Sequence, residues 1–99
     1  MQATDAQTLV LCTLAQGPLH GYAINMAIED MTGKRLGPGS LYGALARLEA
    51  KHLIEPVDGE GRQQPVRLTE AGRTALEAEL RSMAQLADQG LRRLGVNPA

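Results

Sequence analysis

Gly37-Pro38-Gly39-Ser40-Leu41-Tyr42-Gly43-Ala44-Leu45-Ala46-Arg47-Leu48-Glu49, continued through Lys51 and His52, is the most informative stretch of the 99-residue chain. Pro38 stands where a helix can begin, because a first-turn proline forfeits no intrahelical hydrogen bond. Leu41, Ala44, Leu45 and Leu48 then recur at helical spacing, which predicts a helix over residues 38 to about 52 with those side chains turned inward. Gly39, Ser40, Gly43, Arg47 and Lys51 are left on the outer face. That face is nearly bare where it starts and cationic further along, so it can lie close against another molecule.

Two more helices precede this one. Ile24, Ala27, Ile28 and Met31 share a face, with Glu29 and Asp30 opposite, and predict a helix over residues 20 to 32 that stops at Gly33. Lys34-Arg35-Leu36-Gly37 is then a short link. Further upstream, Thr4 or Asp5 caps a first helix reaching about residue 16. Its Leu9, Val10, Leu11 and Leu14 are apolar nearly all round, as in a buried helix, and Gly17-Pro18 ends it.

Downstream, residues 54–58 and 64–68 have strand-like apolar positions around Gly59-Glu60-Gly61-Arg62-Gln63, which predicts a hairpin. Pro56 and Pro65 restrict the pair to an edge ribbon. Thr69 caps a last helix to about residue 94, in which Leu76, Leu80, Met83, Ala87, Gly90 and Leu94 alternate in steps of four and three. Such a helix is roughly 39 Å long at 1.5 Å per residue, more than the preceding residues can cover. A second copy of the chain is the simplest cover, since a two-fold pair buries the same stripe twice. Leu76, Leu80, Met83, Ala87, Leu91 and Leu94 are the expected dimer contacts.

Composition agrees with a single small core. Hydrophobic residues make up 43% of the chain and aromatic residues 2%, supplied by Tyr22 and Tyr42, so the core is expected to use Leu, Ile, Val, Met and Ala. A small aliphatic core stabilises weakly, and domains of this size often draw stability from a partner chain. No segment approaches the ~20 apolar residues of a membrane span. The lone Cys12 excludes an intrachain disulfide, and a cytoplasmic location is expected.

The net charge is −1 at pH 7, whereas nucleic-acid-binding domains usually carry a basic excess. Distribution offsets the total. Between residues 34 and 67 stand six basic side chains (Lys34, Arg35, Arg47, Lys51, Arg62, Arg67) and four acidic ones (Glu49, Glu55, Asp58, Glu60).

Other chemistries find little purchase. No paired carboxylates, phosphate-cradling glycine loop or nucleophile-base motif is present, so no enzyme is expected. Neither His20 nor His52 has the spaced partners of a metal site, and no cofactor is expected. Cys12, inside an apolar run, reads as a buried inert thiol rather than a redox sensor.

Three short helices, a hairpin and a long final helix follow the order of a winged helix-turn-helix. The expected fold is mainly α with a small β-hairpin wing: a winged helix-turn-helix domain over residues 1–68, then a C-terminal dimerisation helix and short tail over 69–99. In that arrangement the third helix enters the major groove and the wing touches flanking phosphates. Gly39, Ser40 and Gly43 would permit close approach, while Arg47 and Lys51 would meet phosphate or guanine, unless they form only a solvated face. Tyr42 reads either as a phosphate contact or as a packing residue.

Three blocks carry a family resemblance: Leu14-Ala15-Gln16-Gly17-Pro18-Leu19-His20-Gly21-Tyr22, the stretch 37–49 quoted above, and Arg67-Leu68-Thr69-Glu70-Ala71-Gly72. Together they resemble the PadR family of bacterial transcriptional regulators. The resemblance implies a homodimer held by the C-terminal helix with help from the first. It implies binding to double-stranded DNA, usually to repress a neighbouring gene, with release by a small-molecule effector such as a phenolic acid or a drug-like compound. A dimer whose third helices enter successive major grooves is expected to meet an imperfect palindrome. The resemblance places Ser40, Tyr42 and Arg47 on the recognition helix and Arg62 in the wing, and Lys34, Arg35, Gly39, Gly43 and Lys51 complete the expected DNA-binding set. Two features depart from the family pattern: Gln63-Gln64-Pro65-Val66 replaces a basic, tyrosine-rich strand, and Gly43 replaces a frequent proline. The alternative is a winged-helix protein-interaction module without DNA affinity.

Overall fold

Asp5 begins the first helix by accepting the Thr8 amide at 2.8 Å, which satisfies one of the donors a helix N-terminus leaves open. The helix, α1 (Ala6–Thr13), belongs to a computed structural model that describes residues 5–58 and 64–96. It ends short of residue 16 because the Leu14 and Ala15 amides reach back only three residues, to the Leu11 and Cys12 carbonyls at 3.1 and 3.2 Å. This tighter turn leads the chain to Leu19, which exchanges both backbone hydrogen bonds with Val66 at 3.1 and 2.9 Å. The segment before the second helix, read from sequence as a simple stop, is therefore tied to the hairpin.

The second helix, α2 (Gly21–Thr32), is capped by His20, whose Nδ1 accepts the Ala23 amide at 3.4 Å. It closes on Gly33 at φ 85°, a left-handed conformation that glycine adopts without a Cβ clash. Ile24 and Ile28 are fully buried, whereas Met31, expected on the same face, is half exposed because it lies in the last turn, beyond the core.

Gly37 and Pro38 open α3 (Pro38–Ala50), whose Leu41, Ala44 and Leu48 are buried and Leu45 partly so, as the spacing predicts. The helix ends at Lys51, and His52 takes φ 61°. There the His52 amide bonds the Glu49 carbonyl and the Leu53 amide bonds the Leu48 carbonyl, both at 3.0 Å, which is a Schellman closure.

Strands β1 (Ile54–Pro56) and β2 (Val66–Leu68) pair antiparallel, with Ile54 opposite Leu68, Glu55 opposite Arg67 and Pro56 opposite Val66. They are shorter than expected because Pro56 and Pro65 bring no amide donor to the ladder, and one further bond, from the Val57 amide to the Pro65 carbonyl at 2.9 Å, extends the pairing. The expected turn at 59–63, with Arg62, lies outside the described residues.

Thr69 links hairpin and last helix twice: its hydroxyl donates to the His52 carbonyl at 2.7 Å and accepts the Gly72 amide at 2.9 Å. Helix α4 (Glu70–Arg93) follows for 24 residues. Its first two turns join the core, which consists of Val10, Leu11 and Leu14 from α1 and its turn, Ile24 and Ile28, Leu41, Ala44 and Leu48, Ile54, and Leu76. No methionine and neither tyrosine is among these buried residues, so the core is wholly aliphatic. Leu76, expected among the dimer contacts, is 5% exposed and packs in the domain's own core. The stripe beyond it is partly to largely exposed.

Candidate nucleic-acid interface

With its leucines anchored on α1 and β1, α3 presents its other side to solvent. Gly39, Ser40, Arg47 and Lys51 are exposed, and Gly43 is partly covered. Gly39 has open space around it, so the first turn is bare. Tyr42 is 61% exposed, yet its ring lies over Gly21, where a Cβ would meet the phenol oxygen at 3.5 Å. Tyr42 therefore both packs and offers its hydroxyl, at the point where α2 begins.

The expected cations separate by what already holds them. Arg35 is paired with Glu29 at 3.2 Å and touches the Met26 sulfur at 3.0 Å. Lys51 donates to the Gln7 side chain at 2.8 Å, which directs it towards α1. It lies roughly 18 Å of helix axis from Gly39 at 1.5 Å per residue, so it does not join the residues at the start of α3. Lys34 is exposed on the link. Among the described residues Arg47 has no carboxylate partner, unlike Arg35, Arg67, Arg81 and Arg92. Among those described residues its charge is uncommitted, on the bare face.

A cleft of about 460 Å³ runs between the start of α2, the start of α3 and β2, with His20, Tyr22, Asn25, Arg35, Tyr42 and Gln64 among its lining residues. Tyr22 and Gln64 escaped the sequence reading because they lie on different elements that only folding brings together.

Asn25 was also missed. Its side-chain amide donates to the Leu36 carbonyl and its oxygen accepts the Leu36 amide, each at 2.8 Å. This two-pronged clamp sets the path of the link and hence the angle at which α3 leaves α2. A poor helix former in the middle of an amphipathic helix was the available signal. Asn25→Ala strands both Leu36 backbone groups and is expected to destabilise the fold by about 2 kcal/mol, at roughly 1 kcal/mol per hydrogen bond. Urea unfolding of the variant checks this, and an unchanged midpoint would remove the clamp from the account.

The outer half of α4 carries a second surface. Leu80 is 40%, Leu86 74%, Leu94 77% and Val96 51% exposed, with Met83 and Leu91 partly covered and Ala87 exposed. Leu86 lies beside the expected stripe and was not foreseen. Cys12 is partly buried against the core, and that burial pushes its thiol pKa up.

Three helices with the third displayed, an antiparallel hairpin and a long final helix define a winged helix-turn-helix protein. The family model for the transcriptional regulator PadR-like family matches residues 10–78, and the chain belongs to that family. Transcriptional regulator Rv3488 of Mycobacterium tuberculosis is 36% identical over 86 residues, covering 83% of this chain and 78% of that protein. A Streptomyces fradiae protein known only as an uncharacterized 37.1 kDa protein in transposon TN4556 is 67% identical over 87 residues, which are 88% of this chain. The chain spans only 25% of that relative's length. Among solved structures, a transcriptional regulator from Clostridium thermocellum superposes with a TM-score of 0.76 at 26% identity, covering 88% of this chain and 89% of that one. Among the described residues no helix is long and apolar enough to cross a membrane.

Proposed function

We propose that the chain is a sequence-specific, DNA-binding transcriptional regulator that acts as a homodimer. The observation that carries this reading is the outer face of α3, bare at Gly39 and followed by a guanidinium, Arg47, without a carboxylate partner among the described residues. A helix entering the major groove needs that profile: small residues where it passes the base edges, and a planar cation able to bond guanine or phosphate. Ser40, Tyr42 and Lys34 add polar contacts, and Arg35 and Lys51 become available by opening weak surface interactions, since an exposed ion pair holds less than about 1 kcal/mol. Arg62, which lies outside the described residues, is assigned a phosphate contact by the family resemblance alone.

In this reading residues 1–68 hold the DNA-reading parts, and residues 69–99 contribute the dimer contact through Leu80, Met83, Ala87, Leu91 and Leu94. Two α3 helices then meet an imperfect palindrome with half-sites about 34 Å apart, one helical turn. Family membership supports repression relieved by a small-molecule effector, and action on cytoplasmic DNA.

Selection of bound duplexes from a random pool tests the proposal, and an enriched palindrome is the expected result. On that site Arg47→Ala is expected to weaken binding about tenfold, within the range for one specific arginine contact, without lowering Tm. Affinity should fall steeply with salt. Absence of binding at low salt would instead identify an interaction module without DNA affinity, the reading that the net charge of −1 favours.

A further inference from the structure

We infer that Gly43 is a specificity-positioning residue, whose missing side chain seats the Arg47 guanidinium against the surface of α3 and aims it towards the bare first turn; this deepens the DNA-binding reading and rests on it. The two residues are one turn apart on the same face. A Cβ built on Gly43 would stand 3.0 Å from Arg47 Nη1 and 4.0 Å from its Cζ. The guanidinium therefore packs so closely over Gly43 that an added side chain would require it to shift by a few tenths of an ångström. Long helical side chains lean back over the preceding turn, so this arrangement carries the charge from position 47 towards the N-terminal end of the helix.

The consequence for recognition is geometric. Bidentate bonding of a guanine edge demands a guanidinium in one plane and at one depth, whereas attraction to phosphate tolerates displacement. A methyl group at position 43 meets the far end of a flexible side chain, so the arginine moves while the helix is undisturbed. Gly39 differs, because nothing lies within 4 Å of its added Cβ. Gly43 therefore acts through a particular neighbour, whereas Gly39 only leaves the surface bare.

The test combines Gly43→Ala, Arg47→Ala and the double variant in full-length protein. Each is assayed by competition between the selected duplex and the duplex altered at the base pair that Arg47→Ala ceases to discriminate. Gly43→Ala is expected to cut that discrimination about fivefold, the lower end of what a bidentate contact supplies, with Tm unchanged or raised. In the Arg47→Ala background the same substitution should change nothing beyond twofold, because the group it displaces is gone. Equal losses in both backgrounds would show Gly43 acting by its own closeness to DNA and overturn the positioning role, as would full discrimination by Gly43→Ala. The Arg47 side-chain Nε–H resonance of the DNA-free protein gives a second reading: it should move in Gly43→Ala, and a fixed resonance also overturns the inference. If the parent protein enriches no motif, the DNA-binding reading fails and takes this one with it, an outcome distinct from a selective parent and an equally selective variant.

Discussion

Gly72→Ala is expected to cost the fold about 3 kcal/mol or more, the upper end for overpacking a rigid site. For a domain of this size that corresponds to a fall in Tm of roughly 12–24 °C. Gly72 lies in the first turn of α4, directly against the backbone that leaves α3. A Cβ there would overlap the Leu53 carbonyl oxygen and come within 2.9 Å of its carbon. Neither atom can rotate away, because the Leu53 carbonyl accepts the Thr69 amide at 3.1 Å and the Leu53 amide closes the α3 terminus. The clash must push α4 off the domain, opening the core at Leu76 and straining the Thr69 cap. Gly39→Ala serves as the control, since its added methyl meets nothing and alanine is favoured over glycine in helices by roughly 0.5–1 kcal/mol. Differential scanning calorimetry of the pair decides the matter; equal melting temperatures would mean that α4 is not seated where we place it.

The second large effect concerns the open half of α4. In the proposed dimer, Met83→Glu combined with Leu91→Glu is expected to raise the dissociation constant at least a thousandfold and to leave a helical monomer. Each methionine or leucine side chain fully buried between protomers would be worth about 1.5–3 kcal/mol. Four carboxylates introduced across a two-fold seam must be desolvated without cations to meet them, which adds a penalty of several kcal/mol. Both positions lie beyond Leu76, so the domain core is untouched and the circular dichroism of the monomer should match the parent's. Affinity for the selected palindrome should collapse towards that of one half-site. Removing the chain after Leu80 should produce the same monomer, or an aggregate. Sedimentation velocity at micromolar concentration provides the check, and a clean dimer from either variant would place the subunit contact elsewhere.

Much of this molecule was legible from local chemistry. Pro38, Gly33 and Thr69 fall at helix boundaries because capping and termination depend on residues only three or four positions apart. The inward stripe of α3 followed from helical periodicity alone, and with it the identity of the residues left on the outer face. The family resemblance read from three blocks agrees with the family model over residues 10–78.

What periodicity could not reveal was which apolar side chain ends inside the domain and which remains open. Leu76 and Leu80 are equivalent in pattern, but α4 passes over the core only at the first, so one is 5% and the other 40% exposed. Asn25 looked like an ordinary polar residue until the link brought the Leu36 peptide within reach of both ends of its amide. Lys51 and Arg47 share a helix face and a charge, yet only Lys51 finds Gln7 of α1 beside it. Sequence determined the helices, most of their boundaries and the chemical character of their faces, because these depend on neighbours along the chain. Tertiary structure alone decided which charges among the described residues find a carboxylate, which leucines the domain's own core covers and where glycine is obligatory, because these depend on segments that meet only when the chain has folded.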